Sequence, residues 1–170
     1  RWSLVLLAAV ATFGMNLPVL LAAAADEVYG TGATGYGLYN SLCAGGAFLG
    51  AILSSRRRSL RLRDVVAFTG LYGAVTMLAA WDGWYPVFLS ALVGIGVSRL
   101  LFAMSAEALT QLSTNPAIRG RVVSFYMMVV MGGQAAGGVI MGWIAETLGG
   151  RIAFLVAGAA PLLTAVVVGA

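Results

Sequence analysis

Apolar residues run through this chain in six long stretches, broken by short polar connections. The stretches cover about residues 2–25, 35–54, 65–80, 87–112, 122–145 and 152–170. Crossing ~30 Å of hydrocarbon takes about 20 residues at the helical rise of ~1.5 Å, so the lengths are those of membrane helices, the third being short. The first stretch ends at Asp26-Glu27-Val28-Tyr29-Gly30, the second at Arg56-Arg57-Arg58, and the fourth at Ser113-Thr114-Asn115-Pro116. The third is closed by Trp81-Asp82-Gly83-Trp84-Tyr85-Pro86, where aromatics beside a turn match an interfacial belt. No connection is long enough to fold a soluble catalytic domain. The pattern predicts an all-α membrane protein of six transmembrane helices.

Composition removes the soluble alternative. Of 170 residues, 61% are hydrophobic and 9% charged, against ~25% charged in ordinary soluble domains. Buried core helices of a soluble protein would lack a polar covering, so lipid is the expected solvent. All ten basic residues are arginines, and eight of them (Arg1, Arg56, Arg57, Arg58, Arg61, Arg63, Arg119 and Arg121) precede the first span or lie in alternate connections. Arginine near a helix end resists translocation, which predicts cytoplasmic loops at 55–64 and 113–121 and loops on the far side at 26–34, 81–86 and 146–151. Both ends of the segment are then cytoplasmic, in the plasma or inner membrane. The net charge of +4 reads as juxtamembrane anchoring to anionic headgroups rather than as a nucleic-acid surface. With no histidine and one cysteine, Cys43, neither a zinc site of the usual kind, a disulfide, nor an imidazole-dependent dyad is available, and no cofactor is expected. The chain opens at Arg1 without methionine or signal-peptide pattern, which reads as part of a longer protein.

Polar residues within lipid are costly, so their distribution picks out helices that line water or protein. Asn16, followed by Pro18 as a kink, lies on the first span; Tyr36, Tyr39, Asn40 and Ser41 on the second; Ser98, Arg99, Ser105 and Glu107 on the fourth; Ser124, Tyr126 and Gln134 on the fifth. The third and sixth spans offer little beyond threonines. Spans one, two, four and five are therefore expected to face a cavity, and the three-helix periodicity predicts a 3+3 inverted repeat. Asn16, Tyr36, Asn40, Arg99 and Gln134 are the cavity candidates, interhelical hydrogen bonding being the equal alternative for Asn16, Asn40 and Gln134. Arg99 lies about 18 Å into its helix, past the midplane, where it either binds an anionic group or snorkels toward the cytoplasmic headgroups. Glu107 is ~12 Å further along the axis and ~80° around it, so it does not neutralise Arg99 within the helix. It is either a coupling acid or a solvated end-of-helix carboxylate. Gly46-xxx-Gly50, Gly133-xxx-Gly137 and Gly138-xxx-Gly142 mark close helix contacts, static or rocking.

Asn16-Leu17-Pro18, Gly35-Tyr36-Gly37-Leu38, Gly45-Gly46-Ala47-Phe48-Leu49-Gly50 and Pro116-Ala117-Ile118-Arg119-Gly120-Arg121-Val122-Val123-Ser124-Phe125-Tyr126 together resemble the carboxy-terminal half of major facilitator superfamily transporters, specifically the enterobactin and macrolide exporter group. The resemblance covers the whole chain, as helices seven to twelve of a twelve-helix protein. It implies a cavity shared with an amino-terminal six-helix half not included in this chain, and a cytoplasmic gating role for Arg56, Arg57, Arg58, Arg119 and Arg121. Two departures stand out. Ser54 and Ser55 occupy the positions of the family's loop aspartate and arginine, and the stretch Gly133 to Gly142 lacks the proline of the antiporter motif.

The expected function is secondary active efflux of hydrophobic or amphipathic small molecules by alternating access, with lipid, the other six-helix half and the substrate as partners. The alternative is a small six-helix membrane protein or channel subunit without a transport cycle. An intramembrane enzyme is not expected, because paired intramembrane acids are missing as well as histidine.

Overall fold

A computed structural model describes residue 12 and residues 16–55, 62–81, 84–112 and 119–169. Most of the first apolar stretch, Arg56, Arg57, Arg58 and Arg61, and the turn before Arg119 lie outside the described residues. The described chain is all-helical: α1 (Leu17–Ala23), α2 (Gly32–Ser55), α3 (Leu62–Ala79), α4 (Tyr85–Leu112), α5 (Arg119–Leu148) and α6 (Gly150–Gly169). Among the described residues, four stretches are long and apolar enough to cross a membrane: Gly32–Ser55, Tyr85–Leu109, Gly120–Leu148 and Gly150–Val168. These are the second, fourth, fifth and sixth spans of the hydropathy pattern. Each of α2 to α6 starts two or three residues before its apolar stretch, since helical hydrogen bonding continues into the interfacial region.

The start of α1 accounts for the Asn16–Pro18 pair. Asn16 is the helix N-cap, and its carbonyl accepts hydrogen bonds from the Val19 and Leu20 amides at 3.2 and 3.3 Å. Pro18 sits in the first turn, where its missing N–H leaves no intrahelical bond unmade. After Ala23 the helix widens into a π-helical stretch, Ala24–Val28, and a turn with Gly30 at φ +59° and Gly32 at φ +57° leads into α2. Only glycine takes that left-handed backbone cheaply.

Packing is set by glycine at three places. α2 runs along α4, with Gly46 against the Val93 carbonyl, Gly50 against Val97 and Gly96 against Cys43 and Ala47. A methyl group on Gly50 would stand 2.9 Å from the Val97 carbonyl oxygen. α3 packs on both α4 and α6, and its crossing with α6 is reciprocal. A Cβ on Gly73 would lie 2.6 Å from the Gly158 carbonyl oxygen, and one on Gly158 2.7 Å from that of Gly73. α5 lies against α6 and α1, with Gly137 backed onto the Thr12 carbonyl. Small residues let helix backbones approach closely where lipid supplies no hydrophobic drive.

Two apolar clusters fill the bundle. The larger gathers Leu20, Leu21, Tyr39, Tyr72, Phe88, Leu92, Ile95, Met141 and Phe154. The smaller joins Val65 and Phe68, early in α3, to Leu101, Phe102, Tyr126 and Val130. The outer surface remains strongly apolar: Phe48 is 68% exposed, Val139 75% and Val167 67%. Exposure of large aliphatic and aromatic groups over most of a surface suits lipid and not water. Trp81 and Trp84 are also exposed, beside the turn between α3 and α4.

Candidate functional site

Most hydroxyl groups inside the helices are spent locally. Thr69 Oγ1 donates to the Val65 carbonyl at 2.8 Å, Thr76 to Tyr72 at 2.7 Å, Ser98 to Gly94 at 2.7 Å and Ser41 to Gly37 at 2.9 Å. Each returns a proton to the carbonyl one turn back, which satisfies the hydroxyl without a partner helix. Such residues leave little for a ligand to bind.

Arg99 and Asn40 differ. Both line a cleft of about 350 Å³ beside the α2–α4 contact, together with Leu17, Cys43, Ala44, Ala47, Gly96, Leu100 and Ala103. Neither side chain makes a hydrogen bond or ion pair among the described residues. Its lining includes the small residues Ala44, Ala47 and Ala103 and the close approach of Gly96 to Cys43 and Ala47. Larger side chains at the three alanine positions would fill the space. Arg99 is half-buried on α4. The volume falls within the roughly 300–1,000 Å³ of small-molecule sites.

The other cavity candidates are not brought into this cleft. Asn16 is 5% exposed, donates its side-chain amide to the Thr12 carbonyl at 2.8 Å, and packs on Gly137 and Gly138 of α5. It therefore fastens α1 to α5, while the adjacent Leu17 lines the cleft. Tyr36 is half-buried against the larger core cluster. Gln134 is half-buried on α5 and has a bonding partner. Glu107 is exposed two turns beyond Arg99 and close enough to Tyr126 for its charge to act on that hydroxyl. Arg121 is exposed in the first turn of α5, beside an open groove formed with Gly120, Ser124, Phe125 and Met128. Arg119 opens α5.

Two features had no signal in the sequence. Tyr29, Tyr39, Tyr85, Phe88 and Phe154 form a ring cluster, with Tyr29–Phe88 centroids 4.8 Å apart and Tyr39–Phe88 5.1 Å apart. Thr31 Oγ1 lies 3.1 Å from the Tyr39 hydroxyl and ties the α1–α2 turn to this cluster. The second is Glu27, whose Oε2 accepts the Gly150 amide at 3.1 Å and so occupies the α6 N terminus. Among the described residues no group of histidine, cysteine and acids could hold a metal ion.

Comparison with known protein families, with characterised proteins and with solved structures finds no match to this chain.

Proposed function

We propose that this chain is the carboxy-terminal six-helix half of a secondary transporter that exports hydrophobic or amphipathic small molecules by alternating access. The observation that carries the proposal is the α2–α4 cleft, where a guanidinium and an amide without hydrogen-bond or ion-pair partners among the described residues join an otherwise apolar lining. A charge in the apolar part of a membrane helix marks a substrate or ion path unless something neutralises it. In this reading the six helices form a 3+3 arrangement. α2 with α4 and α5 with α1 are the pairs a pseudo-two-fold exchange of the two three-helix sets would interchange, while α3 with α6 would map onto itself. The wide uncovered faces of α2 and α5 support their facing a second six-helix half. In this reading the arginine-bearing loops are cytoplasmic, the membrane is the plasma or inner membrane, and the chain performs no covalent chemistry.

The test is export of an amphipathic dye by the full-length protein in proteoliposomes, with membrane potential and pH gradient collapsed separately. Gradient-dependent export that falls about tenfold in Arg99→Ala, at unchanged protein level in the membrane, is the expected result. Export of every tested substrate at the wild-type rate in that variant removes Arg99 from the path. Absence of any gradient-dependent flux removes the transporter reading.

A further inference from the structure

We infer that the ligand of the Arg99 cleft is an amphipathic organic anion, its carboxylate or phosphate held by Arg99 and Asn40 and its apolar body laid against Leu17, Ala44, Ala47 and Leu100. The inference rests on the transporter reading for the ligand's passage, but the site can be tested by binding alone. Three observations converge on this chemistry. Arginine stays protonated in proteins, so the cleft carries a permanent positive charge. No acid among the described residues pairs with it. The nearest on its own helix, Glu107, lies ~12 Å along the axis, with its exposed side chain beside Tyr126. A guanidinium facing an apolar cavity is strongly favoured by an opposite charge, and its planar fork matches two oxygens of a carboxylate or phosphate. Asn40 adds a donor and an acceptor to the same lining, from α2, which suits a head group of two or more oxygens. A cation is repelled by Arg99, and a neutral amphiphile leaves its charge uncompensated.

The same chemistry is offered by a free amphiphile and by an anionic lipid headgroup. The experiment places full-length protein in phosphatidylcholine nanodiscs and measures saturable binding of radiolabelled dodecanoate, dodecyltrimethylammonium and dodecanol above empty discs. Dodecanoate binds with the highest affinity. Arg99→Gln weakens it by about tenfold or more, Arg99→Lys by only a few-fold, and Asn40→Ala by an intermediate factor. Should Arg99→Gln not fold, Ala44→Phe fills the cleft with the charge kept in place, and dodecanoate binding is lost. Equal binding of dodecyltrimethylammonium, or wild-type dodecanoate affinity in both Arg99→Gln and Ala44→Phe, overturns the inference. Displacement of dodecanoate by dihexanoyl phosphatidylglycerol but not by dihexanoyl phosphatidylcholine assigns the site to an anionic lipid headgroup. Displacement by neither assigns it to free amphipathic anions, and equal displacement by both counts against a charged site. Saturable dodecanoate binding without gradient-driven flux sinks the transporter reading and leaves this site standing. Gradient-driven dye export with no preference for the anion does the reverse.

Discussion

Glu27 and Gly150 are 123 positions apart in the chain, and their hydrogen bond closes the amino end of α6 with a carboxylate. The exposed amides at a helix N terminus and the partial positive charge gathered there both favour an acid. Glu27→Ala is expected to lower stability by about 1 kcal/mol, the ordinary worth of a capping contact, with Glu27→Gln losing less. The buried thiol of Cys43, the only cysteine in the chain, supplies the measurement: its reaction with a maleimide on heating reports unfolding in detergent. An unchanged midpoint for Glu27→Ala means that the cap adds nothing. Nothing local marks Glu27 for this role, since its partner comes from the far end of the chain. Arg99, by contrast, was legible as a lone charge in an apolar run. Asn40 and Asn16 look alike in sequence, yet one faces the cleft and the other spends its amide on the Thr12 carbonyl, because polarity does not tell which side of a helix a residue occupies.

Along a single helix, neighbouring glycines have opposite roles. Gly46 meets the Val93 carbonyl with no space for a methyl group, whereas nothing lies within 4 Å of a Cβ on Gly45. Gly46→Ala is therefore expected to cost about 1–3 kcal/mol through forced separation of α2 from α4, and to distort the Arg99 cleft as well. Gly45→Ala should be neutral or stabilising by up to about 1 kcal/mol, because alanine restricts the unfolded chain and favours helix. Midpoints from the Cys43 reaction compare the two, and equal effects of both substitutions contradict the close contact. The spacing Gly46-xxx-Gly50 was readable as a contact motif, but Gly73 and Gly158 stand outside any such repeat. Their crossing needed the packing of α3 on α6 to be seen. Glycine at Gly142, within a matching repeat, meets no neighbour within 4 Å. Spacing proposes a contact, and only the partner helix makes it one.

For the whole molecule, all-helical character and four membrane-length helices among the described residues were legible, since hydrophobic length acts on every helix independently. Helix pairing was not, because it depends on where small residues meet. The orientation proposed from the arginine bias is testable on the connections that follow α2 and α5. In a Cys43→Ser background, Thr147→Cys is expected to react with a membrane-impermeant maleimide in intact cells, and Ser55→Cys only after permeabilisation. Both side chains are exposed at helix ends, so access depends on sidedness alone. The reverse labelling inverts the topology. The crossing of α3 and α6 also limits how such a bundle can move. Beyond Gly73 stands Met77, and beyond Gly158 stands Leu162, each already touching the opposite glycine. A slide of one turn, about 5.4 Å, would drive Met77 or Leu162 into a gap that accommodates only hydrogen. The close approach of Gly73 and Gly158 thus acts as a register pin: it resists sliding of α3 along α6 while leaving rotation about the point of contact free of that clash.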